Sequence, residues 1–342
     1  MSTAFGEAAR RRPDELVAMW IESPGGPIRL RVVGRRLASR LAAPLRHLVV
    51  AGDGHERAPA LRLDVWDEMV ARVPCPLQSD PSAFPQDVNG TPVRVDPADS
   101  QRIWTAGDGS VTELDGAAGH MVAWRADGSR LSIEERGRPF PVALQRWLQS
   151  RGLVTLHAAA VASKGRAALI VGDSGSGKST TALACAGAGL AFIGDDQVAV
   201  SRSDEGAVAH SLFASVRVDG IVERLRPVAP RDVHRSPNGN GNGKSLVLLS
   251  EPGTVVVPSA AIAAVIVATV CPVSESTLER ATAKEALRAL VPSTLLGVIA
   301  DRPEVLRGCV RTVLGIPTYR LCSGRDLDAV PRLVSRALDE AG

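Results

Sequence analysis

Gly172, Asp173, Ser174, Gly175, Ser176, Gly177, Lys178 and Ser179 spell the pattern G-x-x-x-x-G-K-[ST] without a mismatch. Such a stretch serves to cradle a polyphosphate. Its glycines let backbone N–H groups turn toward phosphate oxygens, Lys178 would reach the β- and γ-phosphates, and Ser179 would place its hydroxyl on Mg²⁺. Thr180 then opens the following helix and closes the nucleotide-binding stretch. Lysine occurs four times against thirty-six arginines, so a chance match is remote. The plain alternative, a Gly/Ser-rich turn before a helix, is outweighed by the full motif and its flanks.

Asp195 and Asp196 follow Lys178 by seventeen and eighteen residues, and His157 precedes it by twenty-one. Phosphoryl transfer needs cations on the β- and γ-oxygens, a carboxylate to hold the metal, and a base for the acceptor's proton. Two adjacent aspartates can divide those tasks, or one can serve the metal while the other is solvated. A lone histidine in an apolar strand is more often a satisfied core residue than a catalytic one, and the residues alone leave His157 open.

These groups need elements to hold them. Residues 167–171 form a short apolar run suited to a buried strand, and the Ala-rich, proline-free residues 180–188 suit a helix after the loop. Residues 190–194 predict a strand that delivers the two aspartates to the sheet edge carrying the loop. Two strands, 153–161 and 167–171, precede the loop across a Lys164-Gly165 turn. Later strands at 246–249 and 262–270 and a helix at 282–290 complete a mixed α/β domain. Residues 238–244 read as a flexible loop ending at Lys244.

Upstream the pattern changes. Segments 28–33, 61–66, 101–105, 120–124 and 130–134 are short and separated by Gly, Pro, Asp and Asn, which predicts a β-rich module without a catalytic constellation. Trp20, Trp66, Trp104 and Trp124 lie there and Trp147 just beyond, as core packing for a sheet requires. Helical spacing over 141–150 suggests a connector. The expected organisation is therefore residues 1–145 as a β-rich N-terminal domain, a candidate for substrate or partner recognition, and 146–342 as the phosphate-loop domain.

Composition narrows the class. A formal net charge of +3 with 3% aromatic residues gives no footing for nucleic-acid binding. The five cysteines, Cys75, Cys185, Cys271, Cys309 and Cys322, are odd in number and lack a C-x-x-C pair, so neither a disulfide framework nor a zinc site is expected and a reducing cytoplasm fits. No signal pattern opens the chain, and the longest apolar run falls short of a membrane span, so no membrane association is expected.

The series Leu156-His157-Ala158, the loop at 172–179 and Gly194-Asp195-Asp196 resembles the catalytic domain of HPr kinase/phosphorylase, over residues 153–200. The chain is also similar to the looser group of HPr-kinase-like serine kinases of lasso-peptide and related biosynthetic clusters, through residues 211–218, the Lys244 loop and residues 317–321. The resemblance implies an α/β fold with a P-loop mixed-sheet domain of the HPr kinase and phosphoenolpyruvate carboxykinase kind, preceded by the β-rich domain. It implies ATP and Mg²⁺ as cofactors, Asp196 as the base, Asp195 supporting the metal with Ser179, His157 as an active-site partner and Lys244 as a candidate phosphate contact. It also implies a serine of a peptide or protein as acceptor, and hints at a homo-oligomer. The family's Glu-x-Arg-Gly-Leu-Gly stretch is absent: residues 216–223 read Val-Arg-Val-Asp-Gly-Ile-Val-Glu, which sets HPr aside as substrate and leaves Asp219 and Glu223 as weak substitutes for the missing glutamate. The alternatives are a small-molecule kinase, a carboxykinase-like phosphotransferase, and an ATP-binding regulatory module that transfers nothing.

Overall fold

The computed structural model describes residues 1–50, 58–77, 84–88, 90–107, 109–219, 233–235, 244–249, 254–299 and 301–341. They divide into two compact units, Met1–Gly152 and Leu153–Gly342. The helix expected to lead into the second half ends the first unit instead.

The first unit is built on a mixed sheet. Its strands are Leu16–Ile21 (β1), Ile28–Val33 (β2), Val49–Val50 (β3), Leu61–Asp67 (β4), Gln86–Val88 (β5), Thr91–Val95 (β6), Arg102–Gly107 (β7), Ser110–Asp115 (β8) and His120–Arg125 (β9). Their order is β3-β1-β2-β4-β9-β8-β7-β6-β5, parallel at β2/β4 and β4/β9. Leu30, Val32, Leu63, Val65 and Met121 are buried at alternate strand positions, the period that places every second side chain on one face. Helix Ser2–Arg11 (α1) packs Phe5 and Ala8 against Val33, Trp66, Val111 and Val122. Trp66 and Trp147 are fully buried, as packing aromatics. Helices Arg35–Ala42 (α2), Glu68–Ala71 (α3), Ile133–Gly137 (α4) and Pro141–Ser150 (α5) complete the unit. Segment 130–134, expected as a strand, instead leads into α4, because Ser132 and Glu135 form a reciprocal capping box that starts a helix.

The second unit is a mixed sheet with helices on both faces. Its strands are Val154–Leu156 (β10), Ala159–Ser163 (β11), Arg166–Val171 (β12), Ala191–Gly194 (β13), Val198–Ser203 (β14), Gly206–His210 (β15), Ser259–Val270 (β19), Thr277–Ala281 (β20) and Thr318–Ser323 (β21). Ser215–Asp219 (β16), Val233–Arg235 (β17) and Lys244–Leu248 (β18) form a separate antiparallel sheet. The helices are Lys178–Gly187 (α6), Ala283–Leu296 (α7), Arg302–Val313 (α8) and Val330–Glu340 (α9). The long β19 pairs with β12 on one side, and with β15 and then β21 on the other. Alternation along β12 splits the core: Ala168 and Ile170 join α6, α9 and the β16/β18 sheet, while Ala167, Leu169 and Val171 join α7 and α8. A strand buried on both faces reads as a continuous apolar run, which is why 167–171 carries no polar residue.

The expectation of unpaired cysteines is corrected at one pair. Cys271 and Cys322 form a disulfide with Cα atoms 5.6 Å apart. They sit at the ends of neighbouring strands β19 and β21, fifty-one residues apart in sequence, so no local spacing announces them. The argument from unpaired thiols to a reducing compartment lapses with it. Burial raises the pKa of the Cys185 thiol well above its usual range and that of Cys309 to about 11, so neither is a thiolate at neutral pH. Among the described residues no helix is long and apolar enough to cross a membrane.

Candidate functional site

Strand register brings the chemistry-bearing residues to one edge of the second unit's sheet. Ala159 at the start of β11 lies opposite Ile170 near the end of β12, and Ala160 lies opposite Gly194 at the end of β13. His157 before β11, Gly172 after β12 and Asp195 after β13 therefore emerge on the same side. The register of β13 slips at Ile193, the irregularity by which bulges re-aim the residues that follow.

The loop between β12 and α6 is exposed at Asp173, Ser174 and Gly175. Gly175 and Gly177 have φ of 81° and 92°, in the left-handed region that favours glycine. A Cβ on Gly177 would also lie 3.1 Å from Val270, and one on Gly172 2.9 Å from the Ala268 carbonyl, so the loop rests against the end of β19. Helix α6 starts at Lys178 with no side-chain cap, leaving its first N–H groups to point into the loop. Such a terminus carries partial positive charge and suits an anion. Ser176 Oγ is buried with no hydrogen-bond partner among the described residues. A phosphate oxygen would supply that partner.

Lys178 is buried, its Nζ donating to the carbonyls of Gly172 at 2.7 Å and Asp173 at 2.9 Å. The ammonium thus lies folded along the loop that a phosphate would enter. Ser179 Oγ donates to Asp195 Oδ1 at 3.0 Å, and Asp195 is 3% exposed. A hydroxyl and a carboxylate oxygen side by side are hard-oxygen donors of the kind Mg²⁺ takes, usually with phosphate and water completing the shell. Among the described residues no group of three or more His, Cys, Asp or Glu side chains could hold a metal, so any cation here would draw on those further ligands.

Asp196 occupies the left-handed region at φ 64°. Its Oδ2 accepts from Arg217 Nη2 at 3.0 Å, both side chains largely withdrawn from solvent. Arg217 falls within the 211–218 stretch, and no sequence spacing shows that it meets Asp196 twenty-one residues upstream. His157 lies in the link between β10 and β11 rather than within a strand, and its backbone N–H donates to Thr294 Oγ1 of α7 at 3.1 Å. Thr180 is the third residue of α6. Lys244 is the first residue of β18, opposite Asp219 at the end of β16. The loop at 238–243, Glu223 and the side chains of Asp219 and Lys244 lie outside the described residues.

No protein-family model and no curated protein matches the sequence. A solved structure, that of the Hpr(Ser) kinase/phosphatase from Coxiella burnetii, aligns at a TM-score of 0.31 with 14% identity, over 53% of this chain and 88% of that chain. That is a weak structural similarity, and the functional reading rests on the chain's own residues.

Proposed function

We propose that the second unit is an ATP- and Mg²⁺-dependent phosphotransferase that moves the γ-phosphoryl group to a hydroxyl, that of a serine in a peptide or protein. The observation that carries the reading is the Ser179–Asp195 contact at 3.0 Å beside an uncapped helix start and a glycine loop. A hard-oxygen pair beside a glycine loop is what binding of a Mg²⁺-polyphosphate requires. The resemblance of residues 153–200 to HPr-kinase-like enzymes supports it, and the missing glutamate stretch argues for an acceptor other than HPr.

In this reading Gly172 to Thr180 wrap the phosphates, and Lys178 turns from the loop carbonyls to the β- and γ-oxygens. Ser179 and Asp195 would hold Mg²⁺, which when bound would draw charge from the transferring group. Asp196 takes the hydroxyl proton as the acceptor oxygen bonds to the γ-phosphorus and the bond to the β,γ-bridging oxygen breaks, releasing ADP. His157 sits at the same strand edge as an active-site partner, and the resemblance makes Lys244 a candidate phosphate contact.

The test is a calorimetric titration with ATP and Mg²⁺, followed by an acceptor screen with γ-labelled ATP against serine peptides and small hydroxyl compounds. Saturable binding that Lys178→Ala weakens, with label moving to a serine peptide, is the expected result. Label moving only to small molecules would replace the acceptor class, and binding without any transfer would make the unit a nucleotide sensor.

A further inference from the structure

We propose that Arg217 is a positioning residue for Asp196, holding that carboxylate aimed before an acceptor hydroxyl arrives. The assignment rests on the phosphotransferase reading and deepens it by giving the base a partner.

Three observations carry it. Arg217 Nη2 lies 3.0 Å from Asp196 Oδ2, with the two side chains 24% and 16% exposed. Asp196 is held at φ 64°, a conformation costly for a residue with a side chain and one that persists where the surroundings enforce it. Arg217 stands between Val216 and Val218, which are buried in the same core as Ala182, Leu183 and Cys185 of α6. The guanidinium is thus tied, through its own strand, to the helix that begins with Lys178 and Ser179.

Chemistry gives the pair a reason. A base takes a proton only when its carboxylate oxygen is held within hydrogen-bond reach of the acceptor hydroxyl, so a fixed partner that sets its direction matters. Arginine stays protonated throughout, and its planar fork fixes direction in a way a lysine ammonium does not. In the transfer step the proton passes from the acceptor hydroxyl to Asp196 and thence to solvent, while Arg217 keeps its own protons. It is therefore a positioning residue and not a second acid.

A double-mutant cycle tests this, read by single-turnover release of γ-labelled phosphate from ATP and Mg²⁺ to water or to a serine peptide. Arg217→Met is expected to slow the step about 10- to 100-fold, while Kd for a fluorescent ATP analogue stays within about threefold, and Arg217→Lys recovers part of the loss. Combined with Asp196→Asn, Arg217→Met is expected to add nothing, because a residue acting through Asp196 has nothing left to act on. Losses that multiply in the double variant, or nucleotide binding that weakens in step with the rate, overturn the assignment and leave the phosphotransferase reading standing. A wild-type protein that binds ATP yet releases no label to any acceptor overturns both.

Discussion

The two units spend their charged residues differently. In the first, polar side chains carried on the strands themselves satisfy one another: Arg31 meets the buried Asp64 through two contacts of 2.7 Å, His120 reaches the same carboxylate at 2.9 Å, and Arg102 pairs with Glu113 at 3.3 Å. Burial acts to raise the Asp64 pKa, yet the hydrogen bonds from His120 and Arg31 hold it below the usual carboxylate range. In the second, strands β11, β12 and β13 are apolar except for Ser163 and Arg166 at the turn joining β11 to β12, and the chemistry-bearing groups collect at the opposite strand ends, beside left-handed backbone and an uncapped helix. Charges paired across strands hold a sheet together, whereas groups beyond strand ends stay open to a ligand.

That contrast is simple to probe because all five tryptophans fall in Met1–Gly152, so intrinsic fluorescence follows the first unit while nucleotide binding follows the second. The largest effect is expected at Lys178→Ala: phosphoryl transfer falls at least about 10³-fold and ATP affinity drops, with the tryptophan-monitored transition unmoved. A variant that unfolds the first unit as well would break the contrast.

Next, Asp64→Asn is expected to destabilise the first unit by about 2–3 kcal/mol in urea, less than a fully buried pair would lose because Arg31 is 40% exposed. Its ATP affinity should match wild type.

The third effect is one of pH. Burial lowers the His47 pKa to about 4, so between pH 6.5 and 4 the unfolded first unit binds a proton that the folded one refuses. Stability is full above pH 6.5 and falls as the pH drops. About 1–2 kcal/mol should be lost by pH 5 in tryptophan-monitored unfolding, and His47→Gln should flatten that slope.

The smallest effect is expected at Gly177→Ala, which places a side chain at φ 92° and 3.1 Å from Val270. A cost of about 1 kcal/mol should appear as weaker ATP binding, with tryptophan fluorescence unchanged.

The same contrast explains what could be read in advance. The apolar run 167–171, the glycine loop and the aspartates after 190–194 are local signals, and the structure puts them at β12, the α6 start and the end of β13. In the first unit, alternation revealed β2, β4 and β9 but not α1, whose buried Phe5 and Ala8 are too few to mark a face. The Ser132-x-x-Glu135 signature was present and spelled a helix where β spacing had suggested a strand. The Cys271–Cys322 link and the Arg217–Asp196 pair arise from tertiary register alone, so no single segment could disclose them.

The most direct test of the account is a single-turnover comparison of wild type with Asp196→Asn, using γ-labelled ATP, Mg²⁺ and an excess of enzyme. The expected result is label leaving ATP in wild type, with Asp196→Asn binding ATP as tightly but transferring about 10²- to 10⁴-fold more slowly. Undiminished transfer in Asp196→Asn would remove that residue as the base and contradict the account at its centre.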